Sequence, residues 1–355
     1  MTNTEFLIVG QGISGTFLSW YLHRAGRSFV VIDKNDPASS SRVAAGIINP
    51  VTGRRVVKTW MIEEILPFAV NAYEMMGREL GIEAITEKKM IEFFPSAQMR
   101  MAFSERGAGS HQDYISLPGD ESIFFESFNY ELGFGEISPC YLVNLPGLLL
   151  SWRNRLKKEN SLIEDTFSEH DLKVHSQILY KNIAADKIIF CDGIYSSTNR
   201  FFRNLPFALN KGEALIIHSK DLSPEFIYKK NLTLAPLGNE RFWVGASYEW
   251  DFTDNLPSDA FRDSAIKTLS TWLKKPFEVE DHVASIRPAT VERRPFVGTH
   301  PWFPSVGILN GMGTKGCSLS PYFANQFVNH LTKNTPILPD VDISRFSGIL
   351  KSSLQ

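Results

Sequence analysis

The hexapeptide Gly10-Gln11-Gly12-Ile13-Ser14-Gly15 constrains the fold of this chain more than any other feature. It stands between a short apolar stretch, Phe6 to Val9, and a segment with helical apolar spacing, Ile13 to Ala25, which Gly26 closes as a C-cap. A second apolar strand, Phe29 to Ile32, follows. Strand, helix and strand in about thirty residues make one Rossmann-type β-α-β unit. In such a unit Gly10 permits the tight turn, Gly12 lacks the Cβ that would block a pyrophosphate, and Gly15 lets helix and strand pack closely. The phosphates then meet free N–H groups and the positive end of the helix dipole. Asp33, followed by Lys34, ends the second strand, where a carboxylate accepts hydrogen bonds from an adenosine ribose and repels a 2′-phosphate. A purely structural glycine turn is the competing reading, and the fingerprint alone does not separate NAD from FAD.

The remaining elements fit α/β with antiparallel insertions. Residues 37–55 are loop-like, Ile65 to Leu80 is helical, and residues 85–136 read as short strands and loops. Leu145 to Leu156 and Ala260 to Leu273 are expected helices. Lys187 to Cys191, Ala214 to His218, Arg241 to Ala246 and Val306 to Leu309 are expected strands, and the last helix runs from about Ser320 to Leu331. The 355 residues suffice for two domains, and a formal net charge of −2 shows no basic excess that would announce nucleic acid or an anionic membrane. Cys140, Cys191 and Cys317 are three and widely spaced, which excludes a full disulfide framework and zinc-ligand spacing. No metal is expected, a reducing cytoplasm fits, and no apolar run approaches the ~20 residues of a membrane span.

The segment Ser39-Ser40-Ser41-Arg42-Val43-Ala44-Ala45-Gly46-Ile47-Ile48-Asn49-Pro50 resembles the flavin-contacting loop of the D-amino-acid oxidase and glycine oxidase superfamily. So do Ile286-Arg287-Pro288, Arg294-Pro295-Phe296-Val297-Gly298, and the glycine-rich run Asn310-Gly311-Met312-Gly313-Thr314-Lys315-Gly316-Cys317-Ser318 before the final helix. A strand ending in Cys191-Asp192-Gly193 matches as well, whereas 60–135 and 219–280 carry little of the likeness. Within the superfamily the run 313–317 and the tail Pro336-Ile337-Leu338-Pro339 look most like the FAD domain of the bifunctional enzymes that mature methylaminomethyl-thiouridine in tRNA.

The resemblance implies non-covalent FAD. It assigns the cofactor to Gly10, Gly12, Ile13, Ser14, Gly15, Asp33, Lys34, Ser39, Ser40, Ser41, Ala45, Gly46, Ile47, Asn49, Cys191, Gly193, Gly311, Gly313, Thr314, Lys315, Gly316, Cys317 and Ser318. It implies that Arg287 grips a substrate carboxylate, since a guanidinium fork pairs bidentately with one. An ion pair with Glu292 or Asp281 is the competing reading of that residue. Lys315 is expected beside the pyrimidine end of the flavin, where negative charge develops on reduction; a solvated surface lysine is the alternative. His300 is a weaker pocket candidate, and Tyr248 with Trp250 are candidates for the substrate wall.

The architecture expected is a Rossmann-like FAD-binding domain (1–58, 137–212 and 288–355) interleaved with a substrate domain (59–136 and 213–287) on a mostly antiparallel sheet. The function expected is oxidation of the C–N bond of a small amine or amino acid by hydride transfer to flavin N5, with O2 or an electron-transfer partner as acceptor. Modification of a tRNA side chain and a non-catalytic flavin-stabilised scaffold are the alternatives.

Overall fold

Apolar runs and glycine turns sort the chain into two large sheets. The structure, a computed structural model, describes residues 1–53 and 55–352. In the first sheet the strand order is Leu172–Val174, Ile178–Tyr180, Ile183–Phe190, Thr2–Val9, Phe29–Ile32 and Leu162–Ile163. Phe303–Asn310 joins the other edge of Ile183–Phe190 in parallel, and Phe296–His300 pairs antiparallel with it. The centre of the sheet is parallel. Phe29–Ile32 is buried at every position because such strands are covered on both faces. One face is covered by the helices Ile13–Arg24, Ile62–Leu80, Leu145–Lys158 and Gly316–Lys333 through Phe17, Trp20, Tyr73, Trp152 and Phe323. Gly10 and Cys191 lie just past the carboxyl ends of two adjacent parallel strands, at the edge where a doubly wound sheet opens its ligand crevice.

The second sheet has the order Glu278–Arg287, Asn210–His218, Arg241–Gly245, Thr233–Gly238, Phe226–Lys229, Ile85–Phe93, Phe134–Val143 and Ile47–Ile48. Along this order every pair is antiparallel except Phe226–Lys229 with Ile85–Phe93. Side chains alternate between its faces. Phe93, Leu215, Tyr228, Phe242 and Val244 pack beneath the helix Asp259–Trp272. Gly212, Ala214, Trp243, Gly245, Thr233 and Arg287 occupy the opposite face, as the cross-strand register requires. That face meets the serine-rich loop: the Trp243 indole N–H donates to the Val43 carbonyl at 3.0 Å.

Several boundaries differ from the sequence expectations for identifiable reasons. The first strand begins at Thr2, because Thr2 to Thr4 are held by parallel pairing with 183–185 and carry no apolar run. The helix expected from about Ser320 begins at Gly316, contains Pro321, and is followed by a short helix, Ser347–Ser352. Pro321 has no N–H for the Cys317 carbonyl four residues back, and the Tyr73 hydroxyl donates to that carbonyl instead at 2.8 Å. The helix Ala97–Gly107, capped by the Ser96 hydroxyl, was hidden because only Met99 and Phe103 are buried on it. The strand Glu278–Arg287 was hidden by Glu278, Glu280, Asp281 and His282, which interrupt any apolar pattern.

Candidate active site

The fingerprint folds as its glycines require. Gly10 has φ +98°, and a Cβ on it would stand 2.5 Å from the Cys191 carbonyl oxygen. A Cβ on Gly15 would stand 1.9 Å from the Gly10 oxygen, so this helix can approach its strand only with glycine there. Gly12 is the N-cap of the helix Ile13–Arg24. The Ile13 amide donates to the Ser41 hydroxyl at 3.0 Å, while the amides of Ser14 and Gly15 have no acceptor within the helix. Ser14 turns its hydroxyl to Ser320 at 3.2 Å, which joins the first helix to the last. Its contribution toward an anion is therefore through the backbone. The resulting cradle of amides, with no Cβ at position 12, fits a pyrophosphate.

At the neighbouring strand end the Asp33 carboxylate is more heavily engaged than its sequence position implies. It accepts from the Gln11 amide at 2.9 Å, from the Asn35 amide at 2.9 Å and from Arg153 Nη1 at 2.7 Å, with Arg42 at 3.7 Å. Arg153 is buried and also bonds Gln11 Oε1 and Glu164. Asp33 thus locks the fingerprint turn to the helix Leu145–Lys158. Lys34 reaches the Tyr195 hydroxyl at 2.8 Å and Asp36 at 3.1 Å, at the exposed end of this edge. Cys191 is buried behind the turn and Gly193 adopts φ +62°. Between them Asp192 accepts from Ser196 and from Asn310 Nδ2, and burial pushes its carboxyl up to about 7.

Two loops of distant sequence meet over this edge. Ser39 stands at the N-cap position of the one-turn helix Ser40–Val43, and its hydroxyl accepts from Arg42 at 3.0 Å. Gly46 has φ +80° and its Cβ would lie 2.2 Å from the Val143 oxygen, which lets the Ala45–Ile47 backbone run flush against the second sheet. From the C-terminal side Gly311 and Gly313 adopt φ +78° and +54°. A Cβ on Gly316 would lie 3.3 Å from Ile13, so the second glycine run abuts the first. Thr314 is exposed beside them. Asn49 and Lys315 join the two loops, the ammonium donating to Asn49 Oδ1 at 3.0 Å. Among the described residues no carboxylate lies within ion-pair distance of Lys315, and burial holds its ammonium at about 8. Its side chain is part-buried where the two loops meet. Cys317 and Ser318 are buried; the Cys317 thiol is pushed up to about 12, which leaves no thiolate.

Arg287 ends its strand on the face turned to the serine-rich loop. Its Nη1 donates to Asn210 Oδ1 at 2.7 Å and to the Ser247 carbonyl at 3.2 Å. Its Cζ stands 4.8 Å from the Tyr248 ring centroid. Neither acid offered as a partner from the sequence is used: Glu292 pairs with Arg345, and Asp281 accepts from the His282 amide. Among the described residues no carboxylate lies within 4.0 Å of this guanidinium, and its Nε and Nη2 have no protein acceptor. A half-buried cation without a counter-charge is ready to take an anion. The Gly313 amide donates to the Pro288 carbonyl at 3.2 Å, which ties the Lys315 loop to the end of the Arg287 strand.

The sequence profile of the FAD-dependent oxidoreductases matches residues 5–113 and 160–329 of this chain. The chain belongs to that family. The glycine oxidase of Pseudomonas putida is 20% identical over 359 residues, covering 94% of this chain and 96% of that protein. The crystal structure of glycine oxidase from Geobacillus kaustophilus superposes with a TM-score of 0.80 at 17% identity, covering 98% of each chain. That of iminodiacetate oxidase from Chelativorans sp. BNC1 superposes with a TM-score of 0.77 at 18% identity, covering 97% of this chain and 98% of that one. The Rossmann-like fold and FAD as cofactor follow for this oxidoreductase. The amide cradle at Gly12, the two glycine loops and the uncompensated Lys315 fit that cofactor.

Sequence reasoning missed several residues of this oxidoreductase. Arg153 lay on a helix with no visible partner, since Asp33 is 120 residues away in the chain. Trp243 sat in a stretch of weak resemblance and Asn210 and Gly212 in no motif, and only the strand register brings them beside Arg287 and the loop at 43. Lys229, whose positive charge lies near Lys315, forms a 2.5 Å pair with buried Glu92 at the far end of the same sheet face. His300 falls away from the pocket: it is buried among Phe201, Phe202 and Phe303, its Nδ1 accepts from the Trp302 and Phe303 amides, and burial lowers it to about 4. It is a turn-forming residue. Among the described residues no helix is long and apolar enough to cross a membrane.

Proposed function

We propose that the protein oxidises the C–N bond of a small amino acid or carboxylated amine, with Arg287 holding the carboxylate. The single observation that carries this reading is the Arg287 guanidinium, positioned by neutral partners and without an acid of its own. Glycine oxidases and an iminodiacetate oxidase share the fold, and the names of both describe amines bearing carboxylates. That likeness favours a small substrate over a tRNA side chain or a scaffold role.

FAD, held without a covalent bond, supplies the two-electron acceptor for the hydride that leaves the carbon next to nitrogen. The protein supplies position and field. Arg287 fixes the carboxylate by paired hydrogen bonds, which orients the α-carbon. Trp243, on the same sheet face, walls the space beside the 43–46 loop. Lys315 and the amides at the start of the helix Gly316–Lys333 would offer positive charge to the ring when it is bound and reduced. The amine reacts as the free base, so its proton passes to water and no carboxylate or histidine base is needed. Whether O2 or an electron carrier is the final acceptor would be read from oxygen uptake during turnover. In this reading 1–58, 137–212 and 288–355 mainly hold the cofactor and 59–136 with 213–287 face the substrate, except that the strands Phe134–Val143 and Asn210–His218 belong to the substrate sheet across both boundaries.

The test is anaerobic titration of the oxidised protein with glycine, sarcosine, proline and D-amino acids while the flavin absorbance is followed. Bleaching by one of them is expected. Arg287→Ala should weaken that substrate by about 2–4 kcal/mol, roughly 30- to 1,000-fold in Kd. Bleaching that Arg287→Ala leaves unchanged would refute the role given to Arg287.

A further inference from the structure

The guanidinium of Arg287 occupies the space where any residue but glycine would carry its Cβ at position 212. A Cβ built there would stand 1.8 Å from Nη2, 2.1 Å from Cζ and 2.4 Å from Nη1. Gly212 does not have a positive φ, so its backbone conformation is open to any residue. The requirement at this position is the room it leaves for Arg287. Asn210, one Cβ alternation earlier on the same strand and directly opposite Arg287 in register, is almost wholly buried. Its Oδ1 takes Nη1, and its Nδ2 donates to the Glu249 carbonyl at 2.9 Å.

That second bond connects the arginine to the segment carrying Tyr248. The segment is fixed at both ends. Lys211 and Glu249 exchange backbone hydrogen bonds at 2.9 and 3.0 Å. The Glu213 amide donates to the Ser247 hydroxyl at 2.9 Å, and the Glu213 carboxylate accepts from the Ser258 amide and hydroxyl at 2.6 and 2.8 Å. Tyr248 itself is 62% exposed, so burial of its own surface does not account for its placement against Arg287.

We propose that Gly212, Asn210 and Tyr248 form a cradle that fixes the Arg287 fork in advance, leaving Nε and Nη2 as the donor pair for the substrate carboxylate. Gly212 provides the seat, Asn210 holds Nη1, and Tyr248 covers the guanidinium by a cation–π contact. An unrestrained arginine loses rotamer freedom on binding, and a preset one does not. A neutral amide is the acceptor this task needs, because a carboxylate at position 210 would satisfy the charge before any substrate arrived. The three are positioning residues, and the inference rests on the carboxylate-binding reading of Arg287.

The test uses the oxidised holoenzyme and acetate as the probe, with affinity read by calorimetry and by perturbation of the flavin spectrum. Methylammonium serves as a carboxylate-free control. Asn210→Ala is expected to weaken acetate about tenfold, the scale of one charge-assisted hydrogen bond. Asn210→Asp keeps an acceptor for Nη1 yet should weaken acetate at least about a hundredfold by neutralising the fork. A merely structural asparagine would weaken acetate alike in Ala and Asp, since both lose the Nδ2 bond to the Glu249 carbonyl. Gly212→Ala is expected to abolish acetate binding, and if it fails to fold the two Asn210 variants decide. If wild type does not bind acetate, or Arg287→Ala binds it equally, the carboxylate reading falls and the cradle with it. If Arg287→Ala loses acetate while both Asn210 variants retain wild-type affinity, the cradle alone is overturned.

Discussion

Lys315 should destabilise the apoprotein at neutral pH, and its replacement by methionine measures by how much. Its ammonium is held at about 8 against 10.5 for a free lysine, and burial is the main cause. Among the described residues its ammonium makes one hydrogen bond, to Asn49, and no acid pairs with it. A difference of 2.5 units (10.5 − 8) corresponds to about 3 kcal/mol at ~1.4 kcal/mol per unit. The sign follows from proton counting. Between pH 8 and 10.5 the unfolded chain keeps the Lys315 proton and the native chain has lost it, so native stability rises with pH across that window. Below pH 8 both states are charged and the full penalty is present.

Lys315→Met keeps the length of the side chain and removes the charge. Loss of the Asn49 bond costs about 1 kcal/mol. The net expectation is an apoprotein more stable than wild type by about 2 kcal/mol at pH 7. The advantage should fade as pH approaches 10. Urea unfolding of the flavin-free protein at both pH values measures it through the midpoint at constant m. A variant equally destabilised at both pH values would refute the reasoning, because it would show Lys315 acting as an ordinary packing residue. If the expectation holds, a group that weakens the free fold is retained because it serves the cofactor.

Two further outcomes follow from the same geometry. Asp192 is protonated more readily in the fold than outside it, about 7 against 3.8, so its contribution to apoprotein stability is complete below pH 4 and lost as pH rises through 7. Asp192→Asn should therefore flatten the stability profile between pH 4 and 7 and leave the variant more stable than wild type at pH 8. A steeper profile on urea unfolding would contradict that. Gly15→Ala places a methyl 1.9 Å from the Gly10 oxygen and should force the helix off its strand. The expected result is loss of bound flavin, read from the absorbance ratio of the purified protein, and a full complement of FAD would refute it.

The cofactor half of this protein was legible in its sequence because its requirements are local. A tight turn, a close helix and a backbone approached by a phosphate all demand glycine at fixed spacing, and Gly10, Gly12 and Gly15 meet that demand within six residues. The loops at 39–49 and 310–318 stood out through their resemblance to a flavin-binding family, and the structure joins them at the Lys315–Asn49 bond. The partners of those residues were not legible. Arg153 reaches Asp33 across 120 positions, Lys315 reaches Asn49 across 266, and Tyr73 covers the carbonyl left by Pro321 across 244.

The substrate half depends almost wholly on such distant pairings. Arg287 was visible as a motif residue, but its freedom from any acid, the seat at Gly212 and the bond to Asn210 exist only in the strand register of the second sheet. A shift of that register by one residue would turn the strand's side chains to the other face. The sequence alone determined that a nucleotide cofactor is held, and its glycine turn at 10–15 offered a seat for it. The tertiary structure alone decided which charges stand uncompensated beside it, because charge compensation is set by distance in space and not by position along the chain.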